Sequence, residues 1–346
     1  MSTQKIGLWR TFFQSIIKTA AGVMGIGIGL ALTFIVIGLP FSLSTGRVIA
    51  PISKSFNTVV VPDHRGIISP AAAHNPLILQ LPIKGTIGGR TGVSASNIQQ
   101  ILYHVENEPL KRFEIAAVLL HIDSPGGGVQ ETAQIYEALL EFKKKHKIPV
   151  YAYVEGICAS GGMMIACCAD KIFSSTDSLI GSIGVIMGPM FNLTGGMQMI
   201  NINAATLTEG TDKDMGNPFR SWTAEEFAPI EPILEAFYTR FINIVAQARP
   251  QLTPEQIRDQ LGARIFIGSE AAKLGLIDGS GASRSHVLKE LTMQAGCEDD
   301  YRVIEVQPPT QFLRDLLEAG VEGVAPTPKL QLPSAESWLE LVRSIH

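Results

Sequence analysis

An α/β fold is predicted by two observations in the middle of the chain and one absence. Apolar runs at 77–81, 115–122 and 148–154 have the length and β-branched content of buried strands. Each is followed by a helical pattern. Ile98, Ile101, Leu102 and Val105 share one face, as do Ile135, Leu139 and Phe142, and residues 163–169 are apolar without Gly or Pro. No long all-β region interrupts the alternation, and no repeat of 20–50 residues is present. The 346 residues suffice for one large domain or two modest ones. A net charge of −4 provides no basic field for nucleic acid.

Residues 19–43 form a stretch of 25 residues without a charge. That exceeds both the roughly 20 apolar residues needed to span a bilayer and the apolar core of a cleavable signal. Lys5, Arg10 and Lys18 precede it, so the expectation is a signal anchor with residues 1–18 cytoplasmic and the bulk of the chain on the outer, periplasmic or extracellular, face. Residues 44–76, with Pro51, Pro62, Pro70 and Pro76, read as a linker to a folded domain at 77–283.

Within that domain, Ser94 or Ser96 is placed to cap the first helix, and a second helix spans about 131–145. Short strands are expected at 171–174, 183–187 and 200–207, and a long helix over 222–248 that Pro229 and Pro232 bend or split. Thr253-Pro254-Glu255-Gln256 has the grammar of a helix start. Residues 284–346 read as a helical extension with a Pro-rich tail. Cys158, Cys167 and Cys168 read as small buried hydrophobes, and with Cys297 they show no metal-ligand spacing with histidine.

The chemistry centres on Gly156-Ile157-Cys158-Ala159-Ser160-Gly161-Gly162. It holds a serine between a strand end and a helix start, where small neighbours let a ligand approach the backbone and free N–H groups favour developing negative charge. The same position also suits a helix N-cap. A hydroxyl nucleophile needs a base. None of the seven histidines falls between His146 and His286, and His121 lies among apolar strand residues that suit a core histidine. Lysine can serve when its neutral form is favoured. Residues 161–288 hold Lys171, Lys213 and Lys273, which by themselves read as a strand edge, a loop charge and a helix end.

Five blocks together go further: Asp123-Ser124-Pro125-Gly126-Gly127-Gly128, Ala159-Ser160-Gly161-Gly162, Gly181-Ser182-Ile183-Gly184-Val185, Lys213-Asp214-Met215-Gly216-Asn217-Pro218-Phe219-Arg220, and Ile267-Gly268-Ser269-Glu270-Ala271 through Gly275-Leu276-Ile277-Asp278. In order and spacing, over about residues 77–280, they resemble the signal peptide peptidase A family of membrane-anchored Ser–Lys proteases. The resemblance implies a Clp/crotonase-like repeated β-β-α fold. It also implies Ser160 as nucleophile, Lys213 as general base, Ser182 as the serine positioning that lysine, and the backbone N–H groups of Gly127 and Gly161 as the oxyanion element. Asp123 reads as structural, bonded within its own turn.

By the same resemblance the substrates are remnant signal peptides or other hydrophobic peptides, and no cofactor or metal is needed. A single copy carries both Ser160 and Lys213, as in the short family members that form homo-oligomeric rings, so the dyad is open to being shared between subunits. Met163-Met164 stands where the family often has aromatic residues. Two other readings are a crotonase-like acyl-CoA enzyme and a non-catalytic protease-like membrane scaffold; neither requires Ser160, Ser182 and Lys213 together.

Overall fold

The computed structural model of the chain describes residues 57–68, 76–89, 92–107, 110, 113–298 and 300–307. The expected anchor at 19–43 and the tail after residue 307 lie outside the described residues. Among the described residues, no helix is long and apolar enough to cross a membrane.

The strands are β1 Asn57–Val61, β2 Leu77–Lys84, β3 Ile115–Ser124, β4 Val150–Ala159, β5 Lys171–Ser174, β6 Leu179–Gly181, β7 Ile265–Ile267, β8 Gly279–Ser280 and β9 Arg302–Gln307. They form one mixed sheet in the order β1-β9-β2-β3-β4-β5-β8, with β6 and β7 branching from β4. The helices are α1 Ala95–Glu106, α2 Val129–His146, α3 Gly161–Ala166, α4 Thr194–Met199, α5 Glu231–Ala248, α6 Gly268–Lys273 and α7 Arg284–Ala295, with a π-helical turn at Gln256–Leu261.

Both faces of the central strands are covered, which is why their sequences are apolar almost throughout rather than alternating. Leu77, Leu79, Leu81 and Ile83 of β2 face the larger core, shared with Ile98 and Ile101 of α1, Ile135 and Leu139 of α2, Met163 of α3 and Phe241 of α5. Ile78 on the opposite side joins Leu119, Tyr151 and Tyr153 under Val287, Leu288 and Leu291 of α7. The α/β class therefore follows directly from the strand and helix periodicities. Cys158, Cys167 and Cys168 are buried, and burial pushes the thiols of Cys167 and Cys168 up to about 12, so they act as packing groups.

The first helix is capped by Ser94, whose Oγ accepts the Asn97 N–H at 3.2 Å. Thr253 and Gln256 exchange reciprocal bonds of 2.9 and 3.2 Å, as their spacing predicts. Several elements differ from the expectation. The long helix starts only at Glu231, after a series of turns carrying Pro229. Strand β6 ends at Gly181, so 183–187 is no strand, and 200–207 is irregular and exposed with no strand beside it. The helix after Ser160 spans Gly161–Ala166 rather than 163–169. On either side of 77–283, β1 and β9 pair with each other, and β9 pairs with β2, so the sheet draws in residues read as linker and as extension.

The feature that creates the site is a change of partner along β4. Tyr151–Val154 pairs with β5, whereas Ile157–Ala159 pairs with β6. Between them lies Gly156, where a Cβ would fall 2.4 Å from Asp123 Oδ1. That carboxylate accepts the Ile157 N–H at 3.0 Å, so Asp123 is structural but bonds across to β4 rather than within its own turn.

Candidate active site

Strand β4 delivers Ser160 to the first turn of α3 with φ 51° and ψ −120°. Positive φ is uncommon for a residue with a Cβ and costs about 1–3 kcal/mol, tolerated only where the surroundings over-determine it. Here the Ser160 N–H donates to Gly181 O at 2.9 Å, and its C=O accepts from the Met164 N–H at 3.0 Å. The side chain makes no capping bond to α3. The N-cap role therefore does not account for this serine, and its half-buried hydroxyl is left for another use.

The glycine loop closes against it. A Cβ on Gly126 would fall 2.8 Å from Ser160 Cβ and 2.7 Å from Gly161 N, so only glycine permits this approach. Gly127 is held by a two-bond bridge to Ile87: Ile87 N–H donates to Gly126 O at 2.9 Å, and Gly128 N–H donates to Ile87 O at 3.0 Å. Those bonds use the neighbours of Gly127, and its own N–H is turned away from Ile87. Among the described residues, neither the Gly127 N–H nor the Gly161 N–H has an acceptor. Two backbone donors without an acceptor thus lie in the two glycine segments that meet at Ser160.

Ser182 follows Gly181, the residue that accepts the Ser160 N–H, so the two serines share one corner. Ser182 also has positive φ, 53°. The β7 side holds it there, through a 2.7 Å bond from its N–H to Arg264 O. His121 is occupied elsewhere: its ring bonds Glu155 Oε2 at 2.9 Å, and burial lowers its pKa. Lys171 pairs with Glu290 at 3.3 Å, while Lys273 is exposed at the end of α6.

Lys213 sits on the exposed turn that follows Gly210. Its N–H donates to Gly210 O at 3.3 Å, but among the described residues its side-chain amine makes no hydrogen bond or ion pair, and none joins it to Ser160 or Ser182. The turn itself is far from loose. Arg220 Nε donates to Asp214 Oδ2 at 2.6 Å, and Arg220 Nη2 donates to Asp214 O at 2.7 Å. The same guanidinium donates to both oxygens of Glu226, at 2.7 and 3.0 Å. Glu226, 8% exposed, also accepts the Gly216 N–H at 2.8 Å. Asn217 Nδ2 takes the remaining Asp214 oxygen at 2.7 Å, and Trp222 Nε1 donates to Asn217 O at 2.8 Å. Ion pairs of Arg220 with Asp214 and the buried Glu226 carboxylate fix it. Sequence reasoning missed Arg220 and Glu226 in these roles. The available signal was an Asp, an Arg and a Glu at six-residue intervals in a segment without regular structure.

The Arg220 guanidinium holds the Glu226 carboxyl at about 2 and, with Asn217, keeps Asp214 below the usual carboxylate range. Folding lowers both, so the network's contribution is complete above about pH 4.5, the ordinary glutamate value, and fades as pH falls toward 2. Fluorescence of Trp222, read after Trp9 and Trp338 are replaced by Phe, is expected to stay flat from pH 8 to 5 and change only below. A transition centred near neutrality would contradict this account.

Against this geometry, residues 142–297 match the model of Peptidase family S49. The matched segment contains Ser160, Ser182 and Lys213, and Gly127 lies before it. The chain is 32% identical over 215 residues to a putative signal peptide peptidase SppA of Enterococcus faecium, covering 61% of this chain and 62% of that protein. It is 36% identical over 181 residues to the putative protease MJ0651 of Methanocaldococcus jannaschii, covering 52% of this chain and 57% of that protein. The chain thus spans about three fifths of the length of these curated relatives. Among solved structures, a mutant of the 1510-N membrane-bound stomatin-specific protease aligns over 63% of this chain and 85% of its own, at 17% identity and a TM-score of 0.40, too low to bear on the site.

Proposed function

We propose that the chain is a membrane-anchored serine endopeptidase with a Ser160–Lys213 dyad, acting on remnant signal peptides or other hydrophobic peptides. The observation that carries this reading is the strained, uncapped Ser160 where two glycine segments with unspent backbone donors meet, within the segment that matches peptidase family S49. In the reaction, Ser160 Oγ attacks the scissile carbonyl carbon while its proton passes to the neutral Lys213 amine. The oxyanion is received by the Gly127 and Gly161 N–H groups. As the C–N bond breaks, the lysine ammonium returns a proton to the departing amine, leaving an acyl-enzyme on Ser160. Water then attacks the acyl carbon as Lys213 takes its proton, and the lysine returns that proton to Ser160 Oγ as the ester C–O bond breaks, releasing the acid and free enzyme. Ser182 positions the lysine amine. The buried, soft Met163 and Met164 behind Ser160 suit an apolar side chain before the scissile bond.

Two observations support assembly as a homo-oligomeric ring. Among the described residues, Lys213 has no bond to Ser160, so the dyad requires a further contact. The segment between Ser182 and Lys213 also exposes a row of large apolar side chains, with Ile186 at 85%, Met199 at 88% and Leu207 at 99%. Such a row marks a contact surface, and a second copy would cover it and complete the dyad. The uncharged stretch at 19–43 supports a single membrane span with the catalytic domain on the outer face.

A fluorophosphonate probe tests the central assignment. Peptide mapping is expected to find the label on Ser160, with labelling lost on prior acylation by a hydrophobic peptide ester. A label on another residue, or none in protein that hydrolyses peptide, would refute the nucleophile assignment. An acyl-CoA enzyme or a scaffold is not expected to label.

A further inference from the structure

The Lys213 turn presents a chemical difficulty that the Ser–Lys reading leaves open. Lys213 is flanked by Asp212 and Asp214, and a carboxylate facing an amine favours its protonated form, which cannot accept a proton. The charged groups on and around the turn are Glu209, Asp212, Asp214, Arg220, Glu225 and Glu226. The neighbouring segments that pack against it present Met190 and Phe227 at Gly216, neither of them charged.

We propose that Arg220 is a positioning residue for the general base: it sequesters the Asp214 carboxylate away from Lys213 and fixes the backbone on which Lys213 stands. This rests on the assignment of Lys213 as the base. Both Asp214 oxygens are occupied, one by Arg220 Nε at 2.6 Å and one by Asn217 Nδ2 at 2.7 Å. Arg220 Nη2 also holds the Asp214 carbonyl at 2.7 Å, so the Asp214–Met215 peptide unit, one residue beyond Lys213, is tethered. The guanidinium is anchored in turn by Glu226, which the Gly216 and Thr223 N–H groups hold at 2.8 and 3.2 Å. A planar fork that reaches two carboxylates and a carbonyl at once suits arginine, and lysine cannot reproduce it. The direction of the Asp214 shift agrees, since Arg220 is its leading cause.

The test is a cycle of four full-length membrane-extracted proteins: wild type, Arg220→Ala, Asp214→Asn and the double variant, each with kcat and KM for a fluorogenic hydrophobic peptide across pH 6–10. Arg220→Ala is expected to lower kcat about 10- to 100-fold with little change in KM, because the base is displaced rather than the substrate site. Its alkaline limb should move up by about half a pH unit or more, as an unpaired Asp214 now faces Lys213. Asp214→Asn should leave the limb near wild type, since the carboxylate it removes is already sequestered, and the double variant should likewise lie close to wild type. Arg220→Lys should keep the limb near wild type yet lose turnover, which separates charge from geometry.

Identical limbs in folded, assembled variants would overturn the proposal. If Arg220→Ala fails to fold, the Asp214→Asn limb decides: an unmoved limb supports the role, and a downward shift, which would show that Asp214 acts on Lys213 despite Arg220, overturns it. Lys213→Ala separates the two levels of inference. If it retains turnover, the dyad reading fails. If it is inactive while the limbs coincide, only the role of Arg220 fails.

Discussion

Replacing Ser160 by alanine is expected to lower peptide hydrolysis by about 10⁴- to 10⁶-fold, the loss typical when a serine nucleophile is removed from an otherwise intact site. The fold should survive. The Ser160 side chain makes no capping bond to α3, and its N–H and C=O bonds to Gly181 and Met164 belong to the backbone, which alanine retains. Alanine and serine have similar difficulty with positive φ, so the strain at this corner is nearly unchanged. Thermal unfolding should therefore shift by no more than a few degrees while turnover vanishes. Turnover above trace level in a purified, folded Ser160→Ala protein would remove Ser160 from the mechanism. A large loss of stability would instead mean that the serine holds the corner together.

Which parts of this molecule were legible in its sequence follows from where the determining forces act. The central strands and the faces of α1 and α2 were readable because burial alone sets their pattern, and Ile98, Ile135 and Leu139 lie in the core as their spacing predicts. The strand-to-helix corner at residue 160 was readable because the close approach of Gly126 demands small residues, which leaves a local signature. The strand expected at 200–207 failed for a different reason. Alternating apolar residues announce a surface that seeks cover, and the cover need not be another strand of the same chain. Pairing across long sequence distance was also invisible. Strand β1 pairs with β9 from Asn57↔Gln307 to Val61↔Val303, and no local pattern in either short run names the other as partner. The positive φ of Ser182 arises from the hold of Arg264 O on its N–H, again a tertiary constraint. The Arg220 network belongs to the same class. Nothing local in the sequence links its members, and only the buried Glu226 makes them a unit.

Lys213→Ala is expected to be as inactive as Ser160→Ala, and Lys213→Arg should fail to restore activity, because a guanidinium stays protonated and cannot take the serine proton. The more informative experiment combines the two inactive proteins. A general base must come within about 2.6–3.2 Å of the hydroxyl it deprotonates. Within one chain, among the described residues, no hydrogen bond links Lys213 to Ser160. The turn that carries Lys213 is braced by Arg220 and Glu226, so bringing the amine to its own Ser160 would mean moving a fixed unit rather than flexing a loose loop. Contact with a neighbouring copy leaves that unit intact, and it covers the exposed Ile186, Met199 and Leu207 in the same step. If each site takes Ser160 from one subunit and Lys213 from the next, an equal mixture of Ser160→Ala and Lys213→Ala proteins, dissociated and reassembled, should regain about a quarter of wild-type activity, since each heterologous contact is completed by one choice in four. A dyad built within one subunit regains none. Full activity in a monomeric protein lacking residues 1–50 would exclude the shared site outright.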